Sequence, residues 1–271
     1  MTLGDESGSL YDAFLAAQSA GSRADAIADR AADDIASILY TSGTTGKPKG
    51  AMITHGNLLS NAQMLTEAWG YSGEDTLLHA LPLFHVHGLF VALNLALVNG
   101  GPVWLLPTFD PALVMEALPQ STVMMGVPTY YTRMLAEPSF DKAATAHMRL
   151  FISGSAPLLV ETSDEFFERT GQRILERYGM TETGMRCSNP LHGDRRAGAV
   201  GPPLPGVEVR VVGEDGQELP RGEIGSLEVK GAHVFKGYWK LPEKTAAEFR
   251  GEWFITGDMA VHSEDHYISI V

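Results

Sequence analysis

Eleven residues, Tyr40-Thr41-Ser42-Gly43-Thr44-Thr45-Gly46-Lys47-Pro48-Lys49-Gly50, combine glycines, hydroxyls and two lysines, and offer almost nothing to a core. Glycine lets successive backbone N–H groups turn inward around an anion, and hydroxyls add donors at short reach. The lysines neutralise charge that backbone dipoles would leave exposed. That chemistry suits a polyphosphate. It is not a Walker loop, because only two residues separate Gly43 from Gly46 and Pro48 prevents a helix from starting behind Lys47. A flexible surface loop is the plain alternative. It does not explain this order of residues directly behind the apolar run Ile35 to Leu39, which reads as a buried strand.

Three further groups carry chemistry. In Tyr178-Gly179-Met180-Thr181-Glu182-Thr183 the tyrosine offers a flat face to a purine, Gly179 permits close backbone approach, and Glu182 can hold Mg²⁺ through oxygen. In Pro82-Leu83-Phe84-His85-Val86-His87-Gly88 the two histidines share one side of an extended segment. A metal there would need an acid or cysteine at ligand spacing, which the neighbouring sequence lacks. Arg133 lies one turn into a helix at the ligand edge, and Arg177 ends a buried strand. A buried arginine needs an anion. Glu176 is one candidate, although adjacent strand residues point to opposite faces. The other is a substrate carboxylate, which a planar guanidinium grips bidentately.

The elements that must position these groups alternate. Strands are expected at Leu77 to Leu81, Val103 to Leu106, Thr122 to Met125, Leu150 to Ile152 and Ile174 to Arg177. Helices are expected at Gly88 to Val98, Pro111 to Leu118, Thr129 to Leu135 and Leu158 to Arg169. Short apolar strands between helices predict an α/β fold with a mostly parallel sheet covered on both faces. Ligands then bind at the carboxyl ends of the strands. The segments 40–50, 82–87, 126–128, 153–157 and 178–183 would line that edge and build one site. Beyond Gly201, Val207, Val209 and Val211 alternate with Glu208 and Arg210, and Leu227 and Val229 with Glu228 and Lys230. This period predicts a β-rich antiparallel subdomain with one wet face. The expected parts are an N-terminal helical segment over 1–39, the α/β region over 40–203 and the β-rich subdomain over 204–271.

The 271 residues include 20 Lys and Arg against 33 Asp and Glu, a net charge of −13 that argues against nucleic acid or anionic membrane as partner. One cysteine, Cys187, excludes an internal disulfide framework. Met1 to Ser7 is acidic and lacks a signal pattern, and the longest apolar run is too short to span a bilayer. The expectation is a soluble, cytoplasmic protein.

The phosphate loop resembles the signature of the adenylate-forming superfamily of acyl-CoA synthetases, luciferases and peptide-synthetase adenylation domains. Tyr178 to Thr183 resembles its adenine and magnesium motif, Ser153-Gly154-Ser155-Ala156-Pro157 the loop on the other side of the base, and Thr256-Gly257-Asp258 the ribose motif. Within the superfamily the run Leu175 to Thr183, with Ser188-Asn189-Pro190 and Arg196 to Gly201, is similar to the malonyl-CoA synthetases. The resemblance covers about Asp33 to Val271. It implies a distorted barrel-like β subdomain and ATP, Mg²⁺ and coenzyme A as cofactor and co-substrates. Thr41, Ser42, Gly43, Thr44, Thr45, Gly46, Lys47 and Lys49 would hold the outer phosphates. Gly154, Ser155, Ala156, Pro157, Arg177, Tyr178, Gly179, Met180 and Asp258 would hold adenine and ribose. Thr45 and Glu182 would be the metal ligands, and His85, Thr181 and Glu182 the catalytic residues. Arg133, Ser155 and Arg177 would receive the distal carboxylate.

Members of that family continue at both ends beyond these residues, towards a hinge and a small domain carrying the adenylating lysine. The resemblance therefore implies an incomplete, inactive chain, able to self-associate through surface left bare. A monocarboxylate–CoA ligase, a non-catalytic ATP- or AMP-binding module and a folding fragment without a ligand are the alternatives.

Overall fold

The computed structural model describes residues 28–41 and 48–271. The helical reading of residues up to 27 and the loop residues Ser42, Gly43, Thr44, Thr45, Gly46 and Lys47 lie outside the described residues. Residues 32–271 form one unit.

Strand β1 (Ile35–Thr41) runs into β2 (Lys49–Thr54) as an antiparallel hairpin, with Thr41 paired to Lys49. The end of the segment expected to be helical is therefore strand. That strand is not buried: it is the edge of a three-stranded sheet, and Tyr40 is 69% exposed. The strand that leads into this segment is thus antiparallel to the one that leaves it, and is not a strand of the parallel sheet. Thr54 then caps helix α1 (His55–Ala68), its hydroxyl accepting from Asn57 N at 3.1 Å while the Asn57 side chain accepts from Thr54 N at 2.9 Å.

The six-stranded sheet comprises β3 (Leu77–His79), β4 (Val103–Leu105), β5 (Val123–Gly126), β6 (Leu150–Ser153), β7 (Leu175–Met180) and β8 (Gly184–Ser188), in the order β4-β3-β5-β6-β7-β8. All pairs are parallel except β7–β8. Leu77, Val123, Met125, Leu150 and Ile152 enter one apolar cluster, and the intervening Leu78, Met124 and Phe151 enter the other. Burial on both faces is why these strands read as unbroken apolar runs. The connections are a π-helical turn His87–Leu93 continuing as α2 (Asn94–Asn99), then α3 (Pro111–Ala117), α4 (Pro128–Leu135) and α5 (Val160–Thr170). Gly100 (φ 70°) and Gly171 (φ 74°) terminate α2 and α5 in the left-handed conformation.

Beyond Gly201 follow β9 (Glu208–Val212), β10 (Ile224–Lys230), β11 (Gly237–Tyr238), α6 (Pro242–Ala247), β12 (Phe249–Arg250), β13 (Trp253–His262) and β14 (Ile268–Ile270). Their antiparallel sheet β12-β13-β10-β9, with β14 on β13, curls as a half-barrel. β11 leaves it to pair with β2, so the sheet of the phosphate loop draws strands from both sides of residue 204. The wet face expected of β10 is partly dry. Glu228 is wholly buried, held by Arg210 Nε at 2.7 Å and Arg250 Nη1 at 2.5 Å. Two guanidiniums replace the water that the alternation implied. Cys187 is buried as well, its thiol pushed up to about 12 by burial. Among the described residues no helix is long and apolar enough to cross a membrane.

Candidate active site

Two adjoining hollows gather most of the expected residues. A cleft of about 490 Å³ is lined by Thr41 and Lys49 from the two ends of the phosphate hairpin, with His85, Ser155, Thr181 and Glu182. A pocket of about 370 Å³ is lined by Ala156, Pro157, Glu176, Tyr178, Gly198 and Asp258. Arg177 and Gly179 belong to both, and Met180 to the first. The turn 126–128 lines neither.

Arg177 lies within β7, which runs on to Met180 beyond the strand end expected at Arg177, and points to the side of the sheet away from Glu176. It is 3% exposed, and its Nε and Nη2 have no hydrogen-bond partner among the described residues. Burial lowers its pKa to about 9, partly opposed by Tyr131. Glu176 is not its partner: it accepts from Gly198 N at 3.1 Å, and burial pushes its carboxyl up to about 7. A Cβ on Gly154 would collide with the Arg177 guanidinium, so the glycine of Ser153-Gly154-Ser155 makes room for the arginine. Ser155 follows at φ 68°, a left-handed conformation that a serine adopts at a cost of about 1–3 kcal/mol. There its Oγ lies 3.1 Å from His87 Nδ1. His87 is buried, and burial together with Arg177 holds its pKa well below the usual range. His85 is exposed at the cleft mouth and accepts through Nδ1 from His87 N at 3.2 Å.

Arg133 is not brought to Ser155 and Arg177. It is exposed on α4, with its guanidinium 4.8 Å from the Phe109 ring centroid. Tyr178 donates its hydroxyl to Asp258, and the guanidinium of Arg186 sits 4.0 Å from the tyrosine ring centroid on one face. Asp258 is aimed by its own turn: Thr256 Oγ1 accepts from Asp258 N at 3.0 Å and donates to Leu227 O at 2.8 Å, while Gly257 adopts φ 80°. Glu182 is buried at the cleft wall and accepts from the Tyr238 hydroxyl at 2.9 Å. Lys49 lies over the Tyr238 ring at 4.4 Å and donates to Glu248 at 3.3 Å.

A family model described as AMP-binding enzyme matches residues 4–239. The chain belongs to that family. A malonate–CoA ligase of Arabidopsis thaliana is 44% identical over 260 residues, covering 88% of this chain and 42% of the relative. The ATP-bound crystal structure of MatB from Rhodopseudomonas palustris superposes with a TM-score of 0.91 at 56% identity, over 94% of this chain and 52% of that one. A malonyl-CoA ligase solved with methylmalonyl-CoA and AMP gives a TM-score of 0.85 at 42% identity, over 91% of this chain and 55% of that one. The chain therefore spans about half the length of these proteins.

For an AMP-binding enzyme, the residues that the motifs missed are those that hold motif residues in place. Tyr238 and Glu248 come from β11 and the end of α6, far along the chain from Glu182 and Lys49, and nothing in Gly237-Tyr238-Trp239 announces the contact. Arg186 had a signal, a charge inside the otherwise apolar strand Met185-Arg186-Cys187. Among the described residues no group of three or more His, Cys, Asp or Glu is placed to hold a metal ion unaided. Mg²⁺ carried on a nucleotide needs only one or two carboxylates beside phosphate oxygens and water. Glu182, oriented by Tyr238, fits that role.

Proposed function

We propose that this chain serves an ATP-dependent acid–thiol ligase acting on malonate or a closely related short dicarboxylate, with coenzyme A as acceptor. One observation carries the reading: Arg177, buried at the cleft, has no carboxylate partner among the described residues. A desolvated guanidinium without an anion costs several kcal/mol, and a substrate carboxylate offsets that cost only while it is bound. The relatives named malonate–CoA ligase support the choice of diacid.

In this reading Arg177 and the Ser155 hydroxyl receive the distal carboxylate, and His87 holds the serine. Tyr178 and Asp258 take adenine and ribose, and the hairpin ending in Thr41 and Lys49 faces the outer phosphates. An oxygen of the free carboxylate attacks the α-phosphorus and pyrophosphate leaves. The thiol of coenzyme A then attacks the acyl carbon, and AMP leaves. His85 lies at the mouth where the thiol approaches, and Thr181 contacts the α-phosphate. When bound with the nucleotide, Mg²⁺ supplies positive charge against the leaving pyrophosphate. Arg133, exposed on α4 beside Phe109, is not needed for this contact.

Thermal shift with malonate and with propionate, each with AMP, tests the reading. Malonate should raise the Tm of the native chain and propionate should not. Arg177→Met should raise the Tm of the unliganded protein and erase the malonate effect. Arg133→Leu sorts the two arginines: a lost desolvated contact weakens malonate by about 2–5 kcal/mol, and a rim residue changes it little. Equal shifts by propionate and malonate would replace the diacid with a monocarboxylate.

A further inference from the structure

Arg186 has no place in the reaction as described, yet its side chain is 0% exposed. The pairing of β7 with β8 aligns Tyr178 with Cys187 and Gly179 with Met185, so Arg186 is the extra residue of a β-bulge. Bulges re-aim a side chain and recur beside active sites. This one sets the guanidinium 4.0 Å from the Tyr178 ring centroid, with Nη2 3.8 Å from Asp258 Oδ2 and Nη1 3.4 Å from Met180 Sδ. Its Nε and Nη2 make no hydrogen bond among the described residues.

The fold shows elsewhere how it fastens a structural arginine. Arg210 and Arg250 close on Glu228 at 2.6 and 2.5 Å. Arg186 has no such clamp. Its charge is directed at an aromatic face and at a carboxylate beyond hydrogen-bond distance, and both belong to the nucleotide pocket.

We propose that Arg186 is a positioning residue for the nucleotide, a buried cationic floor that fixes the plane of Tyr178 and holds the Asp258 carboxylate where ribose hydroxyls are read. The proposal rests on the nucleotide reading above. A guanidinium on one face of the ring leaves only the other face for a purine. Attraction between cation and ring strengthens as the pair loses water, and here Arg186 is wholly buried against one face of a half-buried Tyr178. The same charge offsets Asp258, which an arriving polyphosphate would otherwise meet as a like charge in a protein already at −13.

The test is calorimetric titration of the full chain with Mg-ATP and with Mg-2′,3′-dideoxy-ATP. The native chain should prefer ATP. Arg186→Met should weaken ATP about tenfold, the size expected for a partly desolvated cation–π contact, and should shrink the preference over the dideoxy analogue. Arg186→Lys, which restores charge without the planar fork, should recover part of the preference. Should Arg186→Met not fold, Arg186→Lys carries the test alone: its loss of ATP affinity must vanish in a Tyr178→Leu background. If Arg186→Met lowers the Tm but leaves ATP affinity and the ribose preference unchanged, Arg186 is merely structural and the proposal is overturned. A native chain that binds no ATP overturns the nucleotide reading and this proposal together.

Discussion

Glu176 and Arg177 are neighbours in one strand and meet opposite fates. Arg177 turns to the cleft, where burial lowers its pKa to about 9, and Glu176 turns to the Gly198 backbone, where burial pushes its carboxyl up to about 7. The folded carboxyl therefore keeps its proton above the ordinary value of 4.5, while the unfolded one releases it there. Folding stability from this group is full below about pH 4.5 and is lost as pH rises towards 7, because burying the ionised form is what costs. Glu176→Gln keeps an acceptor for Gly198 N and never ionises. It should leave the urea midpoint at pH 4.5 nearly unchanged and stabilise the protein by about 1–3 kcal/mol at pH 8, since each pKa unit corresponds to about 1.4 kcal/mol. An unchanged midpoint at pH 8 would show that Glu176 ionises there without penalty.

At the scale of elements, β11 connects two parts of the site. It pairs with β2, the outgoing strand of the phosphate hairpin, and it carries Tyr238, which holds Glu182 at 2.9 Å. The hairpin and the carboxylate thus share one support. Tyr238→Phe keeps the ring beneath Lys49 and removes only the hydroxyl. A hydrogen bond to a charged group contributes about 1.5–3 kcal/mol, so affinity for Mg-ATP should fall about tenfold. AMP brings neither outer phosphates nor their metal and should bind nearly as before. Equal loss of the two ligands in parallel titrations would mean that Tyr238 orders the whole cleft and not Glu182.

Across the whole molecule, the three-stranded sheet joins the chain near its beginning to the segment beyond residue 230. Gly237 is the joint, at φ 129° and packed against Thr245 so closely that a Cβ would clash. Gly237→Ala should destabilise the protein by about 1–3 kcal/mol through backbone strain alone. The loss should be local before it is global: amide exchange should quicken first in β1, β2 and β11, while β5 and β6, buried on both faces, keep their protection. Uniform acceleration would show that the hairpin is not a separate cooperative unit.

The sequence by itself determined the layered α/β core, because strands buried on both faces must be apolar throughout and Leu77, Val123, Leu150 and Leu175 announce them. It also marked Gly154, Tyr178 and Glu182 as candidate site residues, since their chemistry is local. The period of two beyond Gly201 gave the antiparallel strands but misjudged Glu228, because alternation reports which side a residue faces and not what covers that side. Only the tertiary structure decided that Thr41 and Lys49 pair across a hairpin, that Arg133 is exposed while Arg177 is buried, and that Tyr238 and Glu248 meet Glu182 and Lys49. Each of these depends on contacts between residues far apart in the chain, and spacing along the chain carries no signal for them.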